Sequence, residues 1–230
     1  MSLFAIADVH LSLGSEKPMD IFGGWDDYQE RLENNWRKVV QDKDTVVIAG
    51  DISWAMSLEQ ALPDFRFLQS LPGQKLILKG NHDYWWMTRA KMDKWLSENG
   101  LSTIKIIHNS TEVVGDIAVC GTRGWFYDAE KDADRKVLMR EVGRLKASIE
   151  LAIKTGKEPI AFLHYPPVYY GEVCKEMMAV LKEYGIRRCY YGHIHGPSIR
   201  NATEGEYDGI KFRLISADAL KFLPVLVERD

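Results

Sequence analysis

Side chains that bind metals in proteins recur directly after short apolar segments of this chain. Residues 3–7, 45–49 and 75–79 are mostly apolar and are followed at once by turn residues, which predicts buried strands. The polar residues that follow these three strands and two later ones are Asp8, His10, Asp51, Asn81, His82, Asp83, His164, His193 and His195. Because ligands bind beyond the carboxyl ends of strands in open α/β sheets, we expect these side chains to converge on one site.

The residue types in this set indicate the kind of metal. Five of the chain's six histidines belong to it, and only His108 lies outside. Asp8 and His10, like His193 and His195, are two residues apart, so both members of each pair point to the same side of an extended segment. Carboxylates, imidazoles and a carboxamide in this number suit two divalent transition-metal ions (Mn, Fe, Zn, Ni or Co) better than Mg or Ca, which prefer oxygen ligands. For His108 an ordinary surface or core position is expected.

Helical and strand patterns alternate along the whole chain. Apolar positions at helical spacing predict helices over residues 26–41, 58–71, 88–98 and 132–154. Short apolar runs predict further strands over residues 159–163, 188–191, 211–216 and 221–227, and a hairpin is expected over residues 111–121. This alternation is typical of an α/β protein. With 46% hydrophobic residues, no internal repeat and no linker-like tract, residues 1–230 are expected to form a single domain.

Composition and charge restrict the partners and the compartment. The net charge of −3 provides no broad electrostatic attraction for a nucleic-acid backbone or an anionic membrane, so neither is expected as a partner. The three cysteines are odd in number and lack C-x-x-C spacing, which fits neither a disulfide framework nor a zinc ribbon and favours the cytoplasm. No apolar stretch is long enough to span a bilayer. The sequence contains no signal for an oligomeric state.

Five ordered motifs are similar to those of the calcineurin-like metallophosphoesterase superfamily. They are Ala7-Asp8-Val9-His10, Gly50-Asp51-Ile52-Ser53, Gly80-Asn81-His82-Asp83, Leu163-His164 and Gly192-His193-Ile194-His195. One such motif is a weak signal, whereas five in the family's order over residues 7–196 are specific. The resemblance implies an α/β fold of two packed mixed β-sheets flanked by helices, in the layer order α-β-β-α.

The resemblance also implies a metal centre and an activity. It assigns Asp8, His10 and His195 to a first metal, Asn81, His164 and His193 to a second, and Asp51 to both as a bridge. It implies a metallophosphoesterase that hydrolyses phosphomonoester or phosphodiester bonds through a hydroxide bridging two metal ions. Two ions about 3.5–4 Å apart lower the pKa of a shared water and stabilise the oxygens of an in-line displacement.

Two residues of the third motif are candidate catalytic groups. His82 is adjacent to a ligand but is not needed as one, so it could protonate the leaving group. Asp83 could orient His82, or it could cap a helix. Arg123, in a later turn, is either a fork-shaped phosphate ligand or an ordinary surface arginine.

Aromatic residues follow several motifs. Trp54, Trp85 and Trp125 either cover the sheet edge or stack on a flat group of a small, nucleotide-like phosphate ester. The segment of residues 11–25 is too long for a plain connector, so we interpret it as a substrate-facing loop.

Other phosphate chemistries lack their motifs. No cysteine is followed by arginine six positions later, residues 156–158 lack the rest of a P-loop, and Asp132 and Asp134 begin a helix instead of following a strand. Residues 50–55 lack the arginine found in protein phosphatases of the superfamily, which argues against a phosphoserine protein substrate. Two alternatives remain. A non-catalytic metal-binding interaction module would not explain His82, and a nuclease is disfavoured by the acidic balance.

Overall fold

The first of two large β-sheets carries the amino-terminal half of the chain. The computed structural model describes residues 1–125 and 132–229. The strands of this sheet are β1 (Ser2–Ile6), β2 (Thr45–Ala49), β3 (Gln74–Leu78), β4 (Ile104–Ile106) and β13 (Val225–Arg229). Their order is β13-β1-β2-β3-β4, with β13 antiparallel to β1 and the other pairs parallel. The carboxyl ends of β1 to β4 therefore share one edge.

The second sheet carries the carboxyl-terminal half. Its strands are β5 (Glu112–Val114), β6 (Ile117–Thr122), β7 (Glu158–Leu163), β10 (Arg188–Tyr191), β11 (Gly205–Tyr207) and β12 (Ile210–Leu214), and a separate pair is formed by β8 (Val168–Tyr169) and β9 (Glu172–Val173). The order is β11-β12-β10-β7-β6-β5, and the four central strands are parallel. Both sheets are thus mixed, as the sequence predicted.

Helices cover the outer face of each sheet. They are α1 (Tyr28–Val39), α2 (Leu58–Ser70), α3 (Arg89–Glu98), α4 (Asp132–Lys154) and α5 (Lys175–Glu183), with a 3₁₀ helix over Gly196–Asn201. α1, α2 and α3 pack on the first sheet, and α4 and α5 pack on the second. Within residues 1–125 and 132–229, no helix has the length and apolar character to cross a membrane.

A third apolar layer lies between the sheets. Leu3 and Ala5 of β1 face Ile160 and Phe162 of β7 there, while the alternate residues of β1 point to the helices. Because successive side chains of a strand point to opposite faces, a strand buried on both sides must be apolar throughout. The predicted four-layer α-β-β-α arrangement is therefore confirmed.

Backbone hydrogen bonds join the two sheets at the edge formed by the carboxyl ends of their strands. Ala7 N donates to Ile215 O at 2.7 Å, and Ala217 N donates to Ala7 O at 2.9 Å. Through these bonds, the residue that follows β1 pairs with the segment that follows β12. The polar residues that follow the strands of both sheets are consequently brought to one place.

Most predicted elements are confirmed, with boundaries shifted by a few residues. The strand predicted over residues 221–227 is wrong at its start, because Lys221 and Phe222 have positive φ angles and form a turn before β13. The hairpin over residues 111–121 is confirmed as β5 and β6. Helix α5 and strand β4 were not predicted. Both are short, so their periodicity is weak.

A buried carboxylate of α2 ties the segment of residues 11–25 to the core. Asp64 has no exposed surface, and its side chain accepts hydrogen bonds from Leu13 N at 2.7 Å and from the Ser53 hydroxyl. Leu11 also forms a bridge with Ser53. Asp64 thus links this segment to the loop that follows β2.

Replacing Asp64 by Ala is expected to lower the free energy of unfolding by about 2–3 kcal/mol, because hydrogen bonds to a buried charged group are lost and Leu13 N–H loses its acceptor. Urea unfolding followed by circular dichroism measures the change. Asp93→Ala is the matched control, since Asp93 forms an exposed i,i+4 ion pair with Arg89, worth about 0.3–0.5 kcal/mol. Equal losses in the two variants would contradict this role of Asp64.

Candidate metal centre

The structure brings the seven predicted metal ligands together at the shared sheet edge. The potential ligand atoms form two groups, and within each group all atoms lie within 4.8 Å of one another. The first group is Asp8, His10 and His195, and the second is Asp51, His164 and His193. Asn81 adjoins the second group, since its Oδ1 lies 2.6 Å from His164 Nε2 and 3.0 Å from His193 Nδ1.

Asp51 lies between the two groups. Its Oδ2 is 3.7 Å from His10 Nε2 and 3.6 Å from His164 Nε2. Its Oδ1 accepts a hydrogen bond from His82 N at 2.8 Å, which fixes the carboxylate in this orientation. One oxygen of Asp51 therefore faces both groups.

The backbone at the ligands is held in an unfavourable conformation. Asp8, His10, Asp51 and His193 all have φ between 44° and 72°, in the left-handed region that non-glycine residues rarely adopt. Each such residue costs on the order of 1–3 kcal/mol, and such residues cluster at functional sites. The conformation directs each side chain inward immediately after its strand.

Two glycines permit this close approach of loops. A Cβ on Gly80 would lie 2.1 Å from Asp51 Oδ1, and a Cβ on Gly192 would lie 2.4 Å from Asp8 Oδ2. Any other residue at either position would displace a ligand carboxylate. The glycines before Asn81 and His193 are therefore part of the site's geometry.

The chemistry of the donors fits divalent transition metals. Burial lowers the pKa of His10, His164 and His193, which leaves these imidazoles neutral and able to donate a lone pair. Burial, and then the charge of Asp8, raises the pKa of Asp51 to about 8. Two buried carboxylates close together are stabilised by a cation.

Unpaired atoms point to the same conclusion. Asp8 Oδ1, His10 Nδ1 and His195 Nε2 are buried and have no hydrogen-bond partner among the described residues. Buried polar atoms normally have partners, and each of the three residues of the first ligand group contributes one of the unpaired atoms. The residues present therefore fit a bound metal ion.

Asp83 does not orient His82 as the sequence had suggested. Its carboxylate is buried and accepts hydrogen bonds from the backbone N–H groups of Gly80, Asp51, Ile52 and Ser53, at 2.7–3.3 Å. Burial, and then Asp51, raises the pKa of Asp83 to about 7, while three of these hydrogen bonds oppose the shift. Asp83 thus joins the loops after β2 and β3, and we correct its role from catalytic to positioning.

His82 stands at the edge of the centre, outside both ligand groups. Its Nδ1 lies 3.2 Å from the Tyr84 hydroxyl, and its ring contacts Trp54 at 4.4 Å between centroids. Its Nε2 makes no hydrogen bond to any residue that the structure describes. Burial, and then the charge of His164, lowers the pKa of His82. This shift reduces the imidazolium population at neutral pH and makes the imidazolium a stronger proton donor.

The three tryptophans singled out from the sequence have different surroundings. Trp85 is only 2% exposed and packs edge-on against Phe65, so its predicted contact with substrate is wrong. Trp54 is partly exposed and stacks on His10, with ring centroids 4.8 Å apart. Trp125 is also partly exposed and lies under the Arg123 guanidinium. Substrate stacking by Trp54 and Trp125 stays a prediction.

Arg123 and the segment of residues 11–25 lie on opposite sides of the centre. The Arg123 guanidinium is 3.7 Å from Glu141, a buried residue of α4, so it is partly neutralised. On the other side, Trp25 packs edge-on against both His10 and His195, with centroids 5.8 Å apart in each pair. The segment of residues 11–25 therefore forms a wall of the first ligand group.

Sequence reasoning missed Asp218. Its Oδ1 lies 3.0 Å from His195 Nδ1, and its Oδ2 accepts a hydrogen bond from Gly196 N at 2.9 Å. Burial lowers the pKa of His195, but the effects of Asp8 and Asp218 are larger together and raise this pKa to about 10. A signal was present, because Asp218 follows a predicted strand as the ligands do. A carboxylate behind a ligand histidine fixes the ring and the tautomer.

Four layers with two carboxylate and histidine groups at the sheet edge define a metal-dependent phosphoesterase. The sequence model of the calcineurin-like phosphoesterase family matches residues 1–197, and the chain belongs to that family. The resemblance inferred from the five motifs is thereby confirmed. A comparison with curated protein sequences gave no match.

Solved structures share the fold. Phosphopantetheinyl hydrolase from Mycobacterium tuberculosis is similar over 100% of this chain and 96% of that chain, with a TM-score of 0.57 and 14% identity. A protein from Thermus thermophilus is similar over 84% of this chain and 81% of that chain, with a TM-score of 0.54 and 14% identity. At such identities the similarity concerns the fold alone.

Replacing Asp218 by Ala is expected to weaken metal binding about 10–100-fold, because His195 loses the carboxylate that holds its Nε2 toward Asp8. Competition with a chromogenic chelator, combined with elemental analysis, measures this affinity. Asp208→Ala serves as control, since Asp208 pairs with Lys182 on the exposed surface. Wild-type metal affinity in Asp218→Ala would show that His195 is oriented by other contacts.

Proposed function

We propose that this protein hydrolyses phosphomonoester or phosphodiester bonds of small substrates with two divalent transition-metal ions, drawn from Mn, Fe, Zn, Ni and Co. The observation that carries the proposal is the position of Asp51, one oxygen of which faces both ligand groups. A single carboxylate so placed can bind two cations at once. We also propose that residues 1–230 act as one domain.

The proposed ligand sets follow the two groups. Asp8, His10 and His195 would hold one ion, Asn81, His164 and His193 would hold the other, and Asp51 would contact both. When bound, such ions supply Lewis-acid activation of water and neutralise charge on the phosphoryl oxygens. The left-handed backbone at four of these residues favours a catalytic site over a non-catalytic module, since strain of this kind accompanies function.

His82 is proposed as the proton donor to the leaving group. Its side chain is half-buried, and it follows Asn81 in the sequence. It belongs to neither group of potential metal ligands. Tyr84 and Trp54 hold the ring in place from two sides. Its Nε2 is therefore able to donate a hydrogen bond to the departing oxygen.

The substrate is proposed to be a small phosphate ester, nucleotide-like if Trp54 or Trp125 stacks on a base. Both side chains are partly exposed near the ligand loops. Trp54 can offer only its edge and one face, because His10 covers the other face. Stacking on a base is typically worth about 1–3 kcal/mol.

The test of the function is metal reconstitution followed by a substrate screen. Protein loaded with each of the five metals is expected to hydrolyse p-nitrophenyl phosphate or bis-p-nitrophenyl phosphate with at least one of them. Asp51→Asn is expected to weaken both metal sites together, because a neutral carboxamide is a poor ligand between two cations. Elemental analysis and initial rates give both readouts.

Inactivity with every metal would favour the non-catalytic module. Loss of only one ion in Asp51→Asn would contradict the bridging position. Cleavage of single-stranded DNA with a steep salt dependence would instead favour the nuclease alternative.

Replacing His82 by Ala should leave metal content unchanged and lower kcat on alkyl phosphates by about 10²–10⁴-fold, the usual contribution of general acid catalysis. The loss should be much smaller on p-nitrophenyl phosphate, because p-nitrophenolate leaves without a proton. Steady-state rates on the two substrates measure this difference. Tyr84→Phe is the control, since it removes the hydroxyl near His82 and keeps the imidazole. Equal losses on both substrates would remove His82 from this role.

A further inference from the structure

A pocket that the proposed chemistry does not use, with cationic and apolar side chains in its lining, lies at the same sheet edge as the metal centre. It has a volume of about 420 Å³, and Lys79, Trp86, Met87, Thr88, His108 and Arg144 line it. A smaller recess shares Lys79, His108 and Arg144 with the pocket and extends to Arg123 and Glu141. Of the residues that the structure describes, no carboxylate lines the larger pocket.

The pocket occupies the same sheet edge as the metal ligands. Lys79 directly follows β3 and lies two residues before Asn81, and His108 follows β4. In the second sheet, Arg123 follows β6, the neighbour of the strand that precedes His164. Lys79 thus follows the strand that also precedes Asn81, while His108 and Arg123 each follow a strand next to one that precedes a proposed ligand, and neighbouring strands are about 4.7–4.9 Å apart.

Among the described residues around the pocket, positive charge exceeds negative charge. Arg144 and Arg123 share one carboxylate, Glu141, at 2.5 Å and 3.7 Å. Lys79 forms no hydrogen bond or ion pair with any described residue. The two carboxylates that attract it, Asp83 and Glu141, are buried and hydrogen-bonded to other groups. Among the described residues, three cations thus lie near one carboxylate, Glu141, which already accepts hydrogen bonds from Thr122 and Arg144.

Hydrogen-bond donors are also in surplus. Trp86 Nε1 and Arg123 Nε are buried N–H groups without an acceptor among the residues that the structure describes. Thr88, at the start of α3, makes no capping hydrogen bond with its side chain. Both N–H groups have almost no accessible surface, so an acceptor in the pocket reaches them only after a side-chain shift, whereas the Thr88 side chain lines the pocket directly.

We propose that this pocket binds a second phosphoryl group of the substrate, separate from the one that is hydrolysed. The proposal rests on the proposed function and narrows its substrate class to compounds with two phosphoryl groups a short distance apart. Lys79 and Arg144 supply the charge, and His108 and Thr88 add hydrogen-bond donors. A phosphoryl group fits because it presents several acceptor oxygens and two negative charges to donors on several sides. A neutral or cationic group would leave the surplus charge of Lys79 uncompensated.

The test compares alkanediol bisphosphates of graded chain length with the matching alkyl monophosphates, using the metal-loaded protein. Wild type should prefer one length of bisphosphate. Lys79→Gln should lower the ratio of kcat/KM for that bisphosphate over its monophosphate roughly 10–100-fold, because one charge-assisted contact is lost. Lys79→Arg should restore much of the ratio. Thermal unfolding checks the fold of Lys79→Gln, in which no partner is left unpaired.

Lys154→Gln is the matched control. Lys154 is an exposed last residue of α4, at the end of the helix that leads back to the start of β7, and its removal should leave the ratio unchanged. A second readout avoids catalysis. Calorimetric titration with a hydrolysis-resistant alkane bisphosphonate should show tighter binding than with the monophosphonate, and Lys79→Gln should remove the difference.

Each outcome decides between the hypotheses. Equal kcat/KM for bisphosphates and monophosphates in wild type would overturn the proposal and leave the hydrolase intact. A preference that persists in Lys79→Gln would overturn the assignment to this pocket. If inorganic phosphate binds in a Lys79-dependent manner while bisphosphates have no advantage, the pocket serves a separate anion and the substrate assignment is wrong. Inactivity on both series with every metal would instead count against the proposed function.

Discussion

Two carboxylates, Asp8 and Asp51, are buried side by side among imidazoles, and the rest of the site is arranged around the electrostatic cost of this placement. Each is at most 1% exposed. One oxygen of each carboxylate accepts hydrogen bonds. Asp8 Oδ2 accepts from His193 N and from the Ser216 hydroxyl, and Asp51 Oδ1 accepts from His82 N. The other oxygens face neutral or partly charged imidazoles. A buried charge of this kind is stable only when it is paired, and a cation between the two groups would provide the pairing.

The scaffold holds these groups against their own repulsion through backbone contacts. The two sheets meet at the carboxyl ends of their strands, where the N–H and the C=O of Ala7 both bond to the segment that follows β12. Asp83 gathers the N–H groups of two adjacent loops, and Asp64 secures the segment that covers the first ligand group. Strained residues persist only where surrounding contacts over-determine their conformation. The fold tolerates a strained backbone at four candidate ligands because the buried carboxylates of Asp83 and Asp64 hold the loops in place through other contacts.

Charge is distributed unevenly along the functional edge. Acidic candidate ligands lie after β1 and β2, whereas Lys79 follows β3 and the imidazole of His108 follows β4. The net charge of the whole chain, −3, does not reveal this local difference in charge. On the two proposals above, the substrate would be held by two phosphoryl groups in a defined orientation, and orientation of this kind contributes strongly to catalysis.

The sequence by itself determined the layered α/β fold, most strand and helix positions and the set of candidate ligand residues, because apolar periodicity and strand-end motifs are local signals. It did not determine which face a side chain points to. Trp85 follows a motif as Trp54 does, yet one is core and the other lines the centre. Asp83 and Asp218 acquired their roles only from loops and strands distant in sequence. The tertiary structure decided these cases, because hydrogen-bond partners and burial depend on which segments meet at the sheet edge.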